Sequence, residues 1–109
     1  MSDAFLLIVA DKIDDTQRSL MHVAVKDNAK SWWHRFEDLW VIRTEMGTAD
    51  WRDILRPFLL EGTSVLVIAM EQSPGGRWAA AGLPAGAMEW FNEEIAGRPK
   101  KLVAKKKPT

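Results

Sequence analysis

Residues 31–45, SWWHRFEDLWVIRTE, hold three of the six tryptophans in a chain that has no tyrosine. Trp32, Trp33, Phe36 and Trp40 crowd two short extended segments, 31–36 and 39–45, with the polar pair Glu37-Asp38 between them as a hairpin turn. In the second segment Leu39, Trp40, Val41 and Ile42 form an unbroken apolar run. Successive side chains on a strand point to opposite faces, so such a run asks for cover on both. A chain of 109 residues has little material with which to cover both faces of a sheet. The run therefore predicts a partner, most simply a second copy of the same chain.

Toward the N-terminus, residues 5–10 (FLLIVA), bounded by Asp3 and Asp11, read as a buried strand. Residues 11–18 (DKIDDTQR) read as a polar connection. Residues 19–30 suit a helix, with Leu20, Met21, Val23, Ala24 and Ala29 on one face and Asp15 or Thr16 as N-cap. Alternation of Leu20, His22 and Ala24 with Met21, Val23 and Val25 also fits a strand. Helix is preferred because the flanking strands need a crossover.

Toward the C-terminus, Gly47 breaks the chain and Thr48 is placed to cap a second helix. Its Trp51, Ile54, Leu55, Phe58 and Leu59 follow the i, i+3, i+4, i+7, i+8 spacing of one apolar stripe. Pro57 predicts a kink, because proline removes a backbone donor and pushes Arg56 away from helical angles. Gly62 is the expected stop. Residues 63–70 (TSVLVIAM) read as another buried strand, 73–76 (SPGG) as a turn, 77–80 as a short extra strand and 84–96 as a last helix. The order β-α-β-β-α-β predicts an α+β, ferredoxin-like antiparallel sheet with an added C-terminal helix and a basic tail. One domain is expected over 1–97, and a disordered tail over 98–109.

Composition narrows the chemistry. With no cysteine, disulfides, thiolate zinc sites and cysteine nucleophiles are excluded. The apolar run at 5–10 is too short for a signal-peptide core or a membrane span, so no membrane association is expected and the expected compartment is the cytoplasm. The formal net charge of zero conceals a division. Arg98, Lys100, Lys101, Lys105, Lys106 and Lys107 give the tail +6 with no acid, leaving −6 on the rest. Clustered cations displace counterions from phosphates, so the tail is the candidate nucleic-acid contact. The competing reading is a solubilising end.

Trp32-Trp33-His34, Leu39-Trp40-Val41-Ile42, Val65-Leu66-Val67-Ile68 and Gly76-Arg77-Trp78 together resemble a group of short bacterial and phage proteins, the SinR-like proteins. That group is related distantly to the VapD toxins and to the small nuclease-like adaptor subunit of the CRISPR spacer-acquisition complex. The resemblance spans roughly residues 5–91 and leaves out the tail. It implies a ferredoxin-like fold, a homodimer, and a superfamily in which some members cut RNA with a divalent metal. In those members the aspartate ending the first strand holds the metal beside its dimer mate, and Asp11 stands at that position. Where the superfamily often has Tyr-Asp, this chain has Ala10-Asp11.

No residue set in the sequence marks a reaction, so the first reading is a cytoplasmic homodimeric interaction or structural module with no cofactor. Its partners are a second copy, and nucleic acid or another protein. Trp32, Trp33, Trp40, Val67 and Trp78 are the expected dimer interface, since buried tryptophan is first a large apolar body. Stacking of nucleobases on Trp32, Trp33, Trp40 and Trp78 is the weaker alternative for them. The second reading is a metal-dependent endoribonuclease using paired Asp11 residues with magnesium or manganese, and with His34 for proton transfer. For Asp11, Asp14 and Asp15 the competing assignment is a solvated loop that begins the next helix. For His34 it is a packed, hydrogen-bonded strand residue.

Overall fold

The computed structural model of the protein describes residues 3–70, 81–83, 85–91 and 93. The chain forms two compact units, Met1–Glu71 and Gln72–Thr109. The first contains β1 (Ala4–Asp11), α1 (Asp15–Asn28), β2 (Ser31–Phe36), β3 (Leu39–Thr44), α2 (Thr48–Leu55), a 3-10 turn at Arg56–Phe58, and β4 (Ser64–Met70). The second includes the short helix α3 (Ala85–Trp90). The expected extra strand at 77–80, the far end of the expected last helix, and the tail lie outside the described residues.

The four strands form one antiparallel sheet in the order β2-β3-β1-β4. The β2-β3 hairpin turns at Glu37-Asp38. Its register runs Trp32↔Ile42 and Trp33↔Val41, then shifts at a bulge before Phe36↔Leu39. Leu6, Ile8 and Ala10 of β1 and Trp40 and Ile42 of β3 share one core cluster with Met21, Ala24 and Val25 of α1 and Trp51 and Leu55 of α2. Both helices therefore pack on the same face of the sheet. Burying side chains the size of Leu6 or Ile8 contributes roughly 1.5–3 kcal/mol each. On the other face Phe5, Trp33 and Val41 are buried as well, while Phe36, Leu66 and Ile68 are exposed. The Leu39–Ile42 run is thus covered on both faces at Trp40, Val41 and Ile42 within a single chain, so this run does not by itself call for the second copy expected from it.

Residues 19–30 are helical through Asn28, but α1 begins at Asp15, inside the stretch expected to be a polar connection. Asp14, one residue before the expected cap, is the N-cap. Its carboxylate accepts from Gln17 N at 2.8 Å, and Gln17 Oε1 accepts from Asp14 N at 2.9 Å. This reciprocal box satisfies two donors that every helix start leaves orphaned. Ahead of it, Lys12 takes a left-handed φ of 62° to turn the chain out of β1. The helix also faces the core differently from the expected stripe. Gln17, Met21, Ala24 and Val25 are buried, while Leu20 and Val23 stand 46% and 52% exposed. Inclusion of the polar Gln17 in the buried stripe rotates it away from Leu20 and Val23.

The α2 stripe is the expected one, with Trp51 and Leu55 buried and Ile54, Phe58 and Leu59 packed against the core. Gly47 rather than Thr48 is its N-cap, and the Asp50 carboxylate reaches back to Gly47 N at 3.1 Å. Pro57 ends the α-helix instead of kinking it, and Arg56–Phe58 tightens into the 3-10 turn. Gly62, at φ 83°, makes the turn into β4, where a side chain would be strained. The buried strand expected at 63–70 is a correction. Because β4 lies at the sheet's edge, Val65 and Val67 pack on the core side while Leu66 and Ile68 face outward at 57% and 43% exposure.

Candidate functional site

The two histidines of the chain, twelve positions apart in sequence, come together against two tryptophans. His22 lies on the flank of α1 beside Met21 and Val25, turned toward β2. Trp32 and His34, two residues apart on β2, share the helix-facing side of the sheet with Trp40 of β3. The His22 ring meets the Trp32 ring edge-on at 4.9 Å, and lies 4.8 Å from the His34 ring. His34 stacks on Trp40 at 4.4 Å with their planes 22° apart.

Hydrogen bonds assign both imidazoles. The Trp40 indole N–H can only donate, and it meets His22 Nδ1 at 3.1 Å, so that nitrogen carries no proton. His34 Nε2 lies 3.0 Å from the Glu37 carbonyl, which can only accept, so that nitrogen is the protonated one. His22, accepting at Nδ1, is therefore set in its neutral form. Burial pushes the His22 pKa below its ordinary value of 6.5, reinforced by repulsion from His34 and then from Lys26, one turn along α1.

One turn before His22, Arg18 ties α1 to the hairpin turn. Its Nε lies 2.9 Å from an Asp38 carboxylate oxygen, and Nη1 lies 2.6 Å from Asp15. The hydrogen bond to Asp38 is the main influence raising the Arg18 pKa. This clamp holds β2 and β3 against α1 at the place where the rings meet.

His22 is the group whose titration bears on stability, and the sign of the effect follows from its lowered pKa. Between the folded value and 6.5 the unfolded chain binds more protons at this position than the folded one, so stability falls as pH drops. Thermal melts at pH 7.5 and 5.5 are expected to show a lower Tm at the acid end. His22→Gln keeps an acceptor for Trp40 but cannot take up the proton, and should narrow that difference. An equal acid-side loss in the variant would place the titration elsewhere.

The acidic residues at the end of β1 diverge. Asp11 is exposed and pairs in register with Ser64. Asp14 is used in the helix cap and Asp15 in the pair with Arg18. Among the described residues no three His, Cys, Asp or Glu side chains are gathered so as to hold a metal ion. β3 lies between the strand that Asp11 ends and the strand that carries His34, and His34 Nε2 is engaged by the Glu37 carbonyl while its ring stacks on Trp40.

Among the residues expected at a dimer interface, Trp40 is fully buried in the core, and Val67 packs against that core. Trp33 is 6% exposed, whereas Trp32 is 38% exposed on the edge strand β2. Trp78 and the tail residues Arg98, Lys100, Lys101, Lys105, Lys106 and Lys107 lie outside the described residues. Sequence reading missed the joining of His22 to the Trp32–His34 side of the hairpin. The signal was present in part: the i, i+2 spacing put Trp32 and His34 on one face, and a helical reading of 19–30 put His22 next to the buried stripe. No protein-family model matches this chain, and neither a curated protein nor a solved structure shows significant similarity to it.

Proposed function

We propose that this protein is a ferredoxin-like homodimeric interaction module whose basic tail contacts nucleic acid. The antiparallel order β2-β3-β1-β4, with α1 and α2 on one face, supports the ferredoxin-like part of the reading. The observation that carries the module reading is the exposure of large apolar side chains on both outer strands. Trp32 and Phe36 on β2 are 38% and 52% exposed, and Leu66 and Ile68 on β4 are 57% and 43% exposed. Apolar side chains grouped at sheet edges are the material of protein–protein contact. The histidine–tryptophan cluster supports the same reading, because the Trp40–His22 bond ties the hairpin to α1 and the His34–Glu37 bond braces its turn.

The second reading, a metal-dependent endoribonuclease using Asp11 from two copies, draws support from the exposure of Asp11 at the end of β1. One titration separates the two. Full-length protein is mixed with RNA in magnesium or manganese over a range of salt, beside Asp11→Ala and a chain lacking residues 100–109. The module reading expects intact RNA, binding that weakens steeply with salt, and loss of binding in the shortened chain. It expects Asp11→Ala to behave as the parent and to change stability by no more than about 0.5 kcal/mol, because the position is exposed. RNA cleavage by the parent that disappears in Asp11→Ala would replace the module with the nuclease.

A further inference from the structure

We propose that β4 is the dimerisation edge, pairing antiparallel with β4 of a second copy about a two-fold axis at Val67, so that two four-stranded sheets join into one. The inference rests on the homodimer reading and names its surface. Four observations support it. First, β4 is an outer strand, and among the described residues it pairs only with β1 and no strand satisfies the backbone donors and acceptors of its other edge.

Second, its seven residues, SVLVIAM, carry none of the devices that block edge pairing: no charge, no proline and no bulge in the β1–β4 register. Third, the strand is close to its own reverse. Centred on Val67, an antiparallel copy sets Leu66 opposite Ile68, Val65 opposite Ala69 and Ser64 opposite Met70. The two large exposed side chains, Leu66 and Ile68, lie on one face, so the pairing gathers four of them into a single apolar patch with cross-strand partners at roughly 4.5–5.5 Å between Cβ atoms.

Fourth, the flank of the edge has room and balanced charge. A groove of about 250 Å³ lies between the start of α2 and β4, lined by Thr48, Ala49, Arg52, Val65, Leu66 and Val67. On the core side of the sheet, an added strand's Val65, Val67 and Ala69 side chains come alongside this groove. Arg52 at its rim is already paired with Asp53 at 3.0 Å, so two copies related by a two-fold axis meet with both signs present rather than cation against cation.

Light scattering on full-length protein, with circular dichroism and thermal melts as controls, tests the assignment. The parent is expected to give twice the 12.3 kDa chain mass. The double variant Leu66→Lys with Ile68→Lys sets like charges opposite each other and is expected to be monomeric, with an unchanged fold because both side chains are exposed. The double variant Leu66→Glu with Ile68→Glu is expected to behave the same way. An equal mixture of the two is expected to restore the dimer through alternating charge. That rescue separates a lost contact from a damaged fold.

A lysine variant that remains dimeric overturns the β4 assignment and leaves the homodimer reading standing. A mixture that stays monomeric overturns the Val67-centred register. A monomeric parent at micromolar concentration overturns both the edge and the homodimer.

Discussion

Trp40→Ala is expected to cost roughly 3–5 kcal/mol, out of the roughly 5–15 kcal/mol that holds a domain of this size together. Trp40 is fully buried and belongs to the core cluster that joins β1, β3, α1 and α2. Its removal opens a cavity at the centre of the sheet, strips the ring beneath His34, and leaves His22 Nδ1 without its donor. Trp40→Phe keeps part of the volume and the stacking but loses the indole N–H, so it should fall between the parent and alanine. Urea unfolding checks both. A Trp40→Ala variant as stable as the parent would mean that this ring is not part of the core.

The second large effect comes from a change that barely alters shape. The Thr44 hydroxyl, 1% exposed, accepts from the Trp51 indole N–H at 3.0 Å and from Met46 N at 3.1 Å. Thr44→Val replaces that oxygen with a methyl group and leaves two donors unsatisfied, one of them wholly buried. An unmade hydrogen bond inside a protein costs about 1–3 kcal/mol, so a loss of roughly 2–4 kcal/mol is expected by urea unfolding. Trp51→Phe removes one of the two donors together with the need for an acceptor. Combined with Thr44→Val it should cost less than the sum of the single changes. Strict additivity would show that the Trp51–Thr44 bond contributes nothing.

Both sites show how the same residue types take different parts. Trp40 and Trp51 are core residues with one polar atom each, and each N–H finds an acceptor within the first unit, at His22 and Thr44. Gln17 is similar: buried at 4% exposure, it closes the α1 capping box with one end and donates to the Phe58 carbonyl and the Thr63 hydroxyl with the other. Through it the start of α1 is fastened to the 3-10 turn and to the loop before β4.

Local pattern was enough for the four strands of the first unit, for the Glu37-Asp38 turn, and for the apolar stripe of α2. Each of these depends on near neighbours in the chain: alternation, a polar pair between apolar runs, or helical spacing. The helical state of α1 was also legible, but its buried face was not. Leu20 and Val23 look like core residues by hydropathy, and they are exposed because Gln17, whose side-chain amide donates to two partners across the fold, Phe58 and Thr63, joins Met21, Ala24 and Val25 on the inward side.

The run in β4 was read as buried from the same kind of signal that correctly marked β1. The two strands differ in position rather than in composition: β1 lies between β3 and β4, and β4 at the edge. Sequence alone places Trp32, Trp33 and Trp40 in core or dimer-interface packing without dividing them between faces. The register sends Trp40 and Trp33 to opposite faces, and the sheet edge leaves only Trp32 substantially exposed among the three. The meeting of His22 with His34 depends on α1 crossing the sheet next to β2, a long-range arrangement that no local spacing encodes. What the sequence by itself determined was therefore the elements and their order, because short-range backbone and hydropathy rules act within a few residues. Which side chains are core, which are edge and which titratable groups touch were decided only by the tertiary structure, because burial and pairing belong to the assembled layers.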